Sequence, residues 1–442
     1  MSRIRVIETG DQPVVRIRRV EGSLTVRGWE RPEVGVRDVD EEACQVTHEN
    51  GGVLIDCEGD CSLQLPTQAM LQIEQVNGDC TINGAKGEIV IQQVEGNVSV
   101  RQIGPLTVVQ AESDLEVKQV QGACTLQQVG GNTQLEQVQG AVTIETIEGD
   151  LELRRIQGDC SVQSVGGRLE AVDLLGGLSA LSVEGDVQVE RVHGSCFLNH
   201  VDGSLRAEEV MGPLRLETVD GDLMAEHIHG DCQVHAVGGN VRLEHLMGGL
   251  TLEAAEGDLM AEHIHGQCRV GKVGGRTQAE HLFGACSFEA VDGDLRAEHL
   301  FGEMRVQTVG GAAQFEHIQG QFFANQIEGD LFLSHVLGNI QAQVGGAASL
   351  EVPMMPGQQV RVQAGGDINC RVPTDLNARL ELESGGEIAV RKLEVQQTIA
   401  RGRVDLSLGN GQGLLALRAG GNLVLTGQRG GRNEYSWSAS FE

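Results

Sequence analysis

Apolar residues in the middle of the chain fall two, four and seven places after a glycine. Leu223, Ala225 and Ile228 follow Gly221, and Cys232, Val234 and Val237 follow Gly230. A spacing of two and then three fits a short strand that turns alternate side chains inward and then bends; it matches no helical period. The glycines themselves recur at every ninth position without a break from Gly122 to Gly338. Two nonapeptides alternate, one closing on Val-Asp-Gly as at 219–221 and the other on Glu-His-Ile-His-Gly as at 226–230, so the repeating unit is eighteen residues. The pattern predicts an all-β chain, a single-chain parallel β-solenoid (β-helix) with 18 residues per coil in two nine-residue halves. The general preference of parallel crossovers makes it right-handed.

A coil of thirty-six residues would enclose a hollow that Val, Leu and Ala could not fill, whereas two facing sheets need only a thin core. The side-chain volumes suit that core: the column Leu198, Leu216, Val234, Leu252, Val270, Phe288 is bulky, and its counterpart Ala207, Ala225, Leu243, Ala261, Ala279, Ala297 is mostly small. Each corner glycine is expected to supply a positive φ or a close backbone approach. Asp186, Asp222, Asp258 and Asp294, each just after a corner, are expected to accept backbone hydrogen bonds of the turn. The cysteines of the inward column lie mostly two rungs apart, beyond disulfide reach, and only Cys268 and Cys286 fall on adjacent rungs. All eleven cysteines are read as reduced core thiols.

Regularity divides the chain into residues 1–75, an irregular β region with a cap, residues 76–345, the nonapeptide solenoid, and residues 346–442, where paired glycines at 345–346, 365–366 and 385–386 widen the coil. Trp29 at one end and Tyr435, Trp437 and Phe441 at the other are expected to cover the terminal rungs, whose unpaired edges would otherwise recruit another chain.

Composition narrows the function. The chain has 61 Gly against 8 Pro and a net charge of −30, from 63 acidic and 33 basic side chains. That balance argues against nucleic acid and anionic membranes and favours a cationic protein partner. The first residues carry no apolar export segment and no apolar run is long enough to span a membrane, so a cytoplasmic location is expected.

Gly22-Ser23-Leu24-Thr25-Val26-Arg27-Gly28-Trp29, followed by many Val-x-Gly-Asp-[Leu/Val]-x-[Val/Ala] units, resembles a bacterial β-helix family of unknown function that carries an adhesin label. The resemblance covers nearly the whole chain and implies a β-helix used for surface attachment. A fainter architectural similarity is to the bactofilin cytoskeletal β-helices.

Two rows of side chains stand out. His227, His245, His263, His281, His299, His317 and His335 recur at eighteen-residue spacing, the first six preceded by Glu226, Glu244, Glu262, Glu280, Glu298 and Glu316. Both rows should project outward at the bend. Imidazole and carboxylate together suit a transition metal or a pH response; the competing reading is a duplicated surface dipeptide that binds nothing. Beside it run Met211, Met247, Phe283 and Phe301, which make an interaction stripe if exposed and packing if tucked over the corner. Gly238-Gly239-Asn240-Val241-Arg242-Leu243 has Leu where a calcium-binding β-roll places its Asp ligand, so no calcium is expected, nor any other cofactor. Unbroken symmetry and the missing loop insertions speak against an enzyme. The favoured reading is a non-enzymatic, rigid, acidic scaffold or interaction rod, monomeric or weakly self-associating through its sides. The alternatives are a filament-forming cytoskeletal subunit and a metal-binding or pH-responsive protein acting through the His/Glu rows.

Overall fold

The computed structural model describes residues 5–38, 44–49 and 52–428. All regular structure among them is β, and the fold is a parallel β-solenoid of eighteen residues per turn. The chain divides into two compact units, Met1–Ala236 and Val237–Glu442. Each consists of two facing sheets whose strands come alternately from the two halves of the repeat.

Register fixes the period. In the first unit Leu205, Ala207 and Val210 pair with Leu223, Ala225 and Ile228 of the next turn; in the second, Leu259, Ala261 and Ile264 pair with Thr277, Ala279 and Leu282. The inward set is the one that the two-four-seven spacing picks out: Leu223, Ala225, Ile228, Cys232, Val234 and Val237 are all buried. The bulky and small columns are buried throughout as well. Where the small column turns large at Phe315, the opposite column turns small at Ala324, which holds the volume between the sheets nearly constant.

The corner glycines serve by close approach alone. A Cβ on Gly158 would stand 2.5 Å from the carbonyl carbon and oxygen of Gly140, one turn earlier. Among the described residues the glycines with positive φ are Gly10, Gly84, Gly357, Gly402, Gly409 and Gly411, none of them in the nonapeptide series. The left-handed residue of each turn instead lies three places before a corner glycine: Gln119, Gln137, Arg155, Asp173, Arg191, Glu209 and His227 in the first unit, and the histidines from His245 to His335 in the second. The acidic corner residues also differ from expectation. Their carboxylates reach along the stack, not around their own turn: Asp186 accepts from the N–H of Ser204 at 2.8 Å, Asp258 from Arg276 at 2.7 Å and Asp294 from Ala312 at 2.9 Å.

Chain ends are built in a way that the repeat does not foretell. Val14–Val20 pairs with both Gly52–Cys57 and Met70–Val76, and Leu24–Trp29 pairs with both Cys61–Pro66 and Cys80–Asn83. The first turn is thus slotted between two turns made of later residues. The second unit mirrors this: Gly413–Ala419 lies between Gln359–Ala364 and Ala378–Ser384, and Leu423–Gln428 lies between Ile368–Pro373 and Ile388–Arg391. The outermost rungs are covered by antiparallel strands. Cys44–Glu49 lies on Gly52–Cys57, Glu33–Asp38 on Cys61–Pro66, Gly402–Ser407 on Ala378–Ser384 and Gln397–Ile399 on Ile388–Arg391.

Two expectations fail for that reason. Trp29 does not cover an edge: its strand is an internal rung where it pairs with Pro66, its Nε1 donates to the Glu33 carbonyl at 2.7 Å, and the Arg31 guanidinium lies 5.2 Å from its ring centre. Tyr435, Trp437 and Phe441 lie outside the described residues. Nor are all cysteines reduced. Cys44 and Cys57, opposite each other in the antiparallel pair with Cα atoms 4.2 Å apart, form a disulfide. Reading the cysteines along parallel columns could not find a partner placed by a hairpin. The other nine are buried. Burial pushes the thiols of Cys80, Cys124, Cys160, Cys196, Cys232 and Cys370 up to about 12, so they carry almost no thiolate. A native thiol titration is expected to leave these six unmodified and to reach them only after denaturant; rapid labelling of any of them in the folded protein would contradict the burial.

Candidate functional site

The histidine row takes its shape from the bend. In the second unit the strands Val241–Leu246, Leu259–Ile264, Thr277–Leu282, Leu295–Leu300, Ala313–Ile318 and Leu331–Val336 each carry a histidine at their fifth position. Pairing skips that residue: Glu262 matches Glu280 and Ile264 matches Leu282, with His263 and His281 left between. Each histidine has φ between 53° and 56°, where a bulky side chain is uncommon. The left-handed turn swings the ring out of the sheet and lays it against the ring one turn on. His245, His263, His281, His299, His317 and His335 form one stack with centroids 4.7 to 5.0 Å apart, and from His263 onward successive planes lie within 5° of parallel.

A stack of this kind resists charge. Burial, with help from His281 and His245, lowers the pKa of His263, although Glu262 opposes the shift. Burial, His335 and His299 do the same at His317 against Glu316 and Glu298. The Nδ1 atoms of His263 and His281 are buried without a hydrogen-bond partner. Four of the glutamates, half-buried on the same strands, point at the residue two places earlier rather than at the rings. Arg242 reaches Glu244 at 2.5 Å, Gln278 reaches Glu280 at 2.8 Å, Arg296 reaches Glu298 at 2.6 Å and Gln314 reaches Glu316 at 2.7 Å. Parallel rings direct their nitrogen lone pairs side by side in separate planes, and the carboxylates lean away, so the donors form two rows instead of one converging set. In the first unit Glu226 is half-buried and His227 is exposed with φ 55°. Earlier positions of the same left-handed column hold Asp173 and Arg191, paired at 2.5 Å.

The stripe beside the rings is exposed. Met247 is 56% accessible, Phe283 39%, Phe301 40% and Leu337 39%, values that rule out packing over the corner; Met211, in the first unit, is 49% accessible. His265, Phe283 and Phe301 stack face to face at 4.9 Å. Their backbone is fixed, since the N–H groups of His265, Phe283, Phe301 and Leu337 donate at 2.8 to 3.0 Å to carbonyls of the preceding turn. Two residues after each ring of the histidine stack therefore stands a residue of this second column, giving one edge with an imidazole row and a parallel apolar row.

The eighteen-residue row hid a smaller cluster. His200, Asp202 and Asp220 bring one nitrogen and two carboxylate oxygens within 4.8 Å of one another in the first unit. The signal was present as His-x-Asp at 200–202 with a second Asp one turn later, but Thr218 follows His200 in its own column and no row formed. A groove of about 1140 Å³ in the second unit gathers Arg401, Arg403 and Arg418. Arg418 is held by both oxygens of Glu383 at 2.9 Å, and Arg403 lies 3.8 Å from Asp405.

No curated protein and no solved structure matches the chain. One family does: residues 58–245 match the model of the Toastrack domain of unknown function, DUF4097, and share with it a repeat β-solenoid.

Proposed function

We propose that the chain is a non-enzymatic scaffold that binds another protein along one edge of its second unit, in the manner the adhesin resemblance implies. The observation that carries this reading is the exposed apolar row of Met247, Phe283, Phe301 and Leu337 on backbone fixed by turn-to-turn hydrogen bonds. Aromatic and Met side chains held rigid on a surface bury area at little entropic cost, which is how binding hot spots are built. The histidine row lends the edge polar contacts at its border. The net charge of −30 favours a basic partner and speeds its approach.

A filament is the weaker alternative, because antiparallel strands cover the outer rungs that end-to-end growth would need. A pH-responsive edge has specific support in the stacked rings, and it is compatible with docking.

Proximity labelling from intact cells, with the parent compared to a Phe283→Ser/Phe301→Ser variant, tests the docking edge. The variant is expected to fold normally and to lose the parent's principal labelled partner by more than about tenfold, the effect of removing two hot-spot side chains. Identical partner profiles for both proteins would place the interaction elsewhere.

A further inference from the structure

We propose that His200, Asp202 and Asp220 form a binding site for a divalent transition-metal ion, with Thr218 holding the imidazole in the ligating tautomer. The site is separate from the histidine row and belongs wholly to the first unit. It is assembled by the winding: His200 sits on the strand Cys196–Val201, Asp202 follows at the corner, and Asp220 occupies that corner one turn later. The backbone pins all three. His200 pairs in register with Thr218, the Asp202 N–H donates to the Val183 carbonyl at 3.0 Å, and the Asp220 N–H donates to the Val201 carbonyl at 2.9 Å.

Hydrogen-bond accounting shows what the cluster needs. The Thr218 hydroxyl lies 2.6 Å from His200 Nδ1 and 3.2 Å from the Asn199 carbonyl; with its proton turned to that carbonyl it accepts from the ring Nδ1–H. A neutral imidazole protonated on Nδ1 carries its lone pair on Nε2. That atom stands 2.7 Å from Asp202 Oδ1, an acceptor against an acceptor. In this tautomer a cation joins them, a metal ion or a second ring proton; in the other, Nε2–H donates to Asp202 directly. Asp220 favours the metal. A proton joins one nitrogen to one oxygen, whereas an ion takes the nitrogen and both carboxylates and neutralises two negative charges. One imidazole with two carboxylates suits Zn²⁺ or Ni²⁺ rather than Ca²⁺ or Mg²⁺, which prefer all-oxygen shells. The ring N–H donated to Thr218 is the kind of outer contact that fixes a metal-bound histidine. All three side chains are exposed, so water completes the shell and micromolar binding is expected.

Calorimetry of the full chain with Zn²⁺ at neutral pH tests the site. One equivalent is expected to bind in a phase that His200→Ala or Asp220→Asn weakens by at least about tenfold and that a His281→Asn/His299→Asn variant retains. Thr218→Val should weaken it several-fold while leaving all three ligands in place, and Thr218→Ser should restore it. Circular dichroism of each variant verifies the fold, and the two ligand substitutions act as checks on each other. With Cu²⁺ as a paramagnetic probe, coupling to a single imidazole nitrogen is expected. Absence of binding at micromolar metal, or a binding phase unchanged in both His200→Ala and Asp220→Asn, would overturn the proposal; a multi-nitrogen signal that survives His200→Ala would do so by assigning the ion to the histidine row.

Discussion

Gly158→Ala is expected to destabilise the first unit by more than about 3 kcal/mol, the upper range for forcing atoms into a filled site. The new methyl would meet the Gly140 carbonyl carbon and oxygen at 2.5 Å and the Ala141 nitrogen at 2.6 Å. These are backbone atoms, and they cannot retreat. The Gly140 N–H is bonded at 3.1 Å to the Gly122 carbonyl of the turn before, and the Val142 N–H at 2.9 Å to the Asp159 carbonyl of the turn after. Relief would require spreading two turns and stretching their ladders on both sheets, a cost passed to neighbours because each turn is stable only through its stack. Gly59 supplies the control, since nothing lies within 4 Å of where its Cβ would be and its φ is not left-handed. Gly59→Ala should be neutral or slightly stabilising, because alanine lowers the entropy of the unfolded chain. Urea unfolding followed by circular dichroism measures both. Equal midpoints for the two variants would mean that the corner glycines are not required by close approach.

This contrast also marks where the sequence was legible. A period of eighteen residues assigns every side chain of the repeat to a column, so the buried set and the ring stack followed from spacing, while the exposure of the Met and Phe column did not. Leu223, Ala225 and Ile228 are buried for the same reason that Phe283 and Phe301 are stacked: position n lies over position n plus eighteen. The column does not say how the backbone turns within one coil. Glycine is the residue that best tolerates positive φ, yet the left-handed bend falls on His263 and its equivalents, because the corner demands the absence of a Cβ while the bend merely tolerates one. The Asp258 carboxylate likewise finds its partner one turn along the stack, where the next N–H is pinned, and not within its own turn. Where the repeat stops, column logic stops with it. The slotted first turn, the covering strands and the Cys44–Cys57 disulfide all depend on pairings between residues that share no register. The His200 cluster escapes column logic from the opposite side, since its residues belong to two different columns.

The second large effect is a loss of stability of the second unit on mild acidification, with the histidine stack as its source. His263 and His317 have folded pKa values below the ordinary 6.5, through burial and through the flanking rings. Above 6.5 these rings are neutral whether the chain is folded or not, and stability is complete. As pH falls through that value the unfolded chain takes up protons that His263 and His317 refuse in the fold, so stability declines until their lowered folded pKa values are passed. Centroid spacings of 4.7 to 5.0 Å make two neighbouring charges costly. Carboxylates beside the rings soften this only in part: Glu262 opposes the shift at His263, and Glu316 and Glu298, the latter shared with Arg296, oppose it at His317 without overcoming burial and the neighbouring rings. Paired carboxylates elsewhere do not act in the same window. Glu116, held at about 2 by Lys118 and Arg101, contributes stability that is lost only as pH falls below the ordinary carboxylate range. Melting temperatures between about pH 7.5 and about pH 5.5 therefore isolate the imidazoles. A drop of several degrees is expected for the parent. Replacing His263 and His317 by Asn keeps a residue that accepts the left-handed bend and removes the two titrating rings, so the double variant should lose markedly less. If the parent and the double variant fall in parallel, the pH response does not arise from His263 and His317.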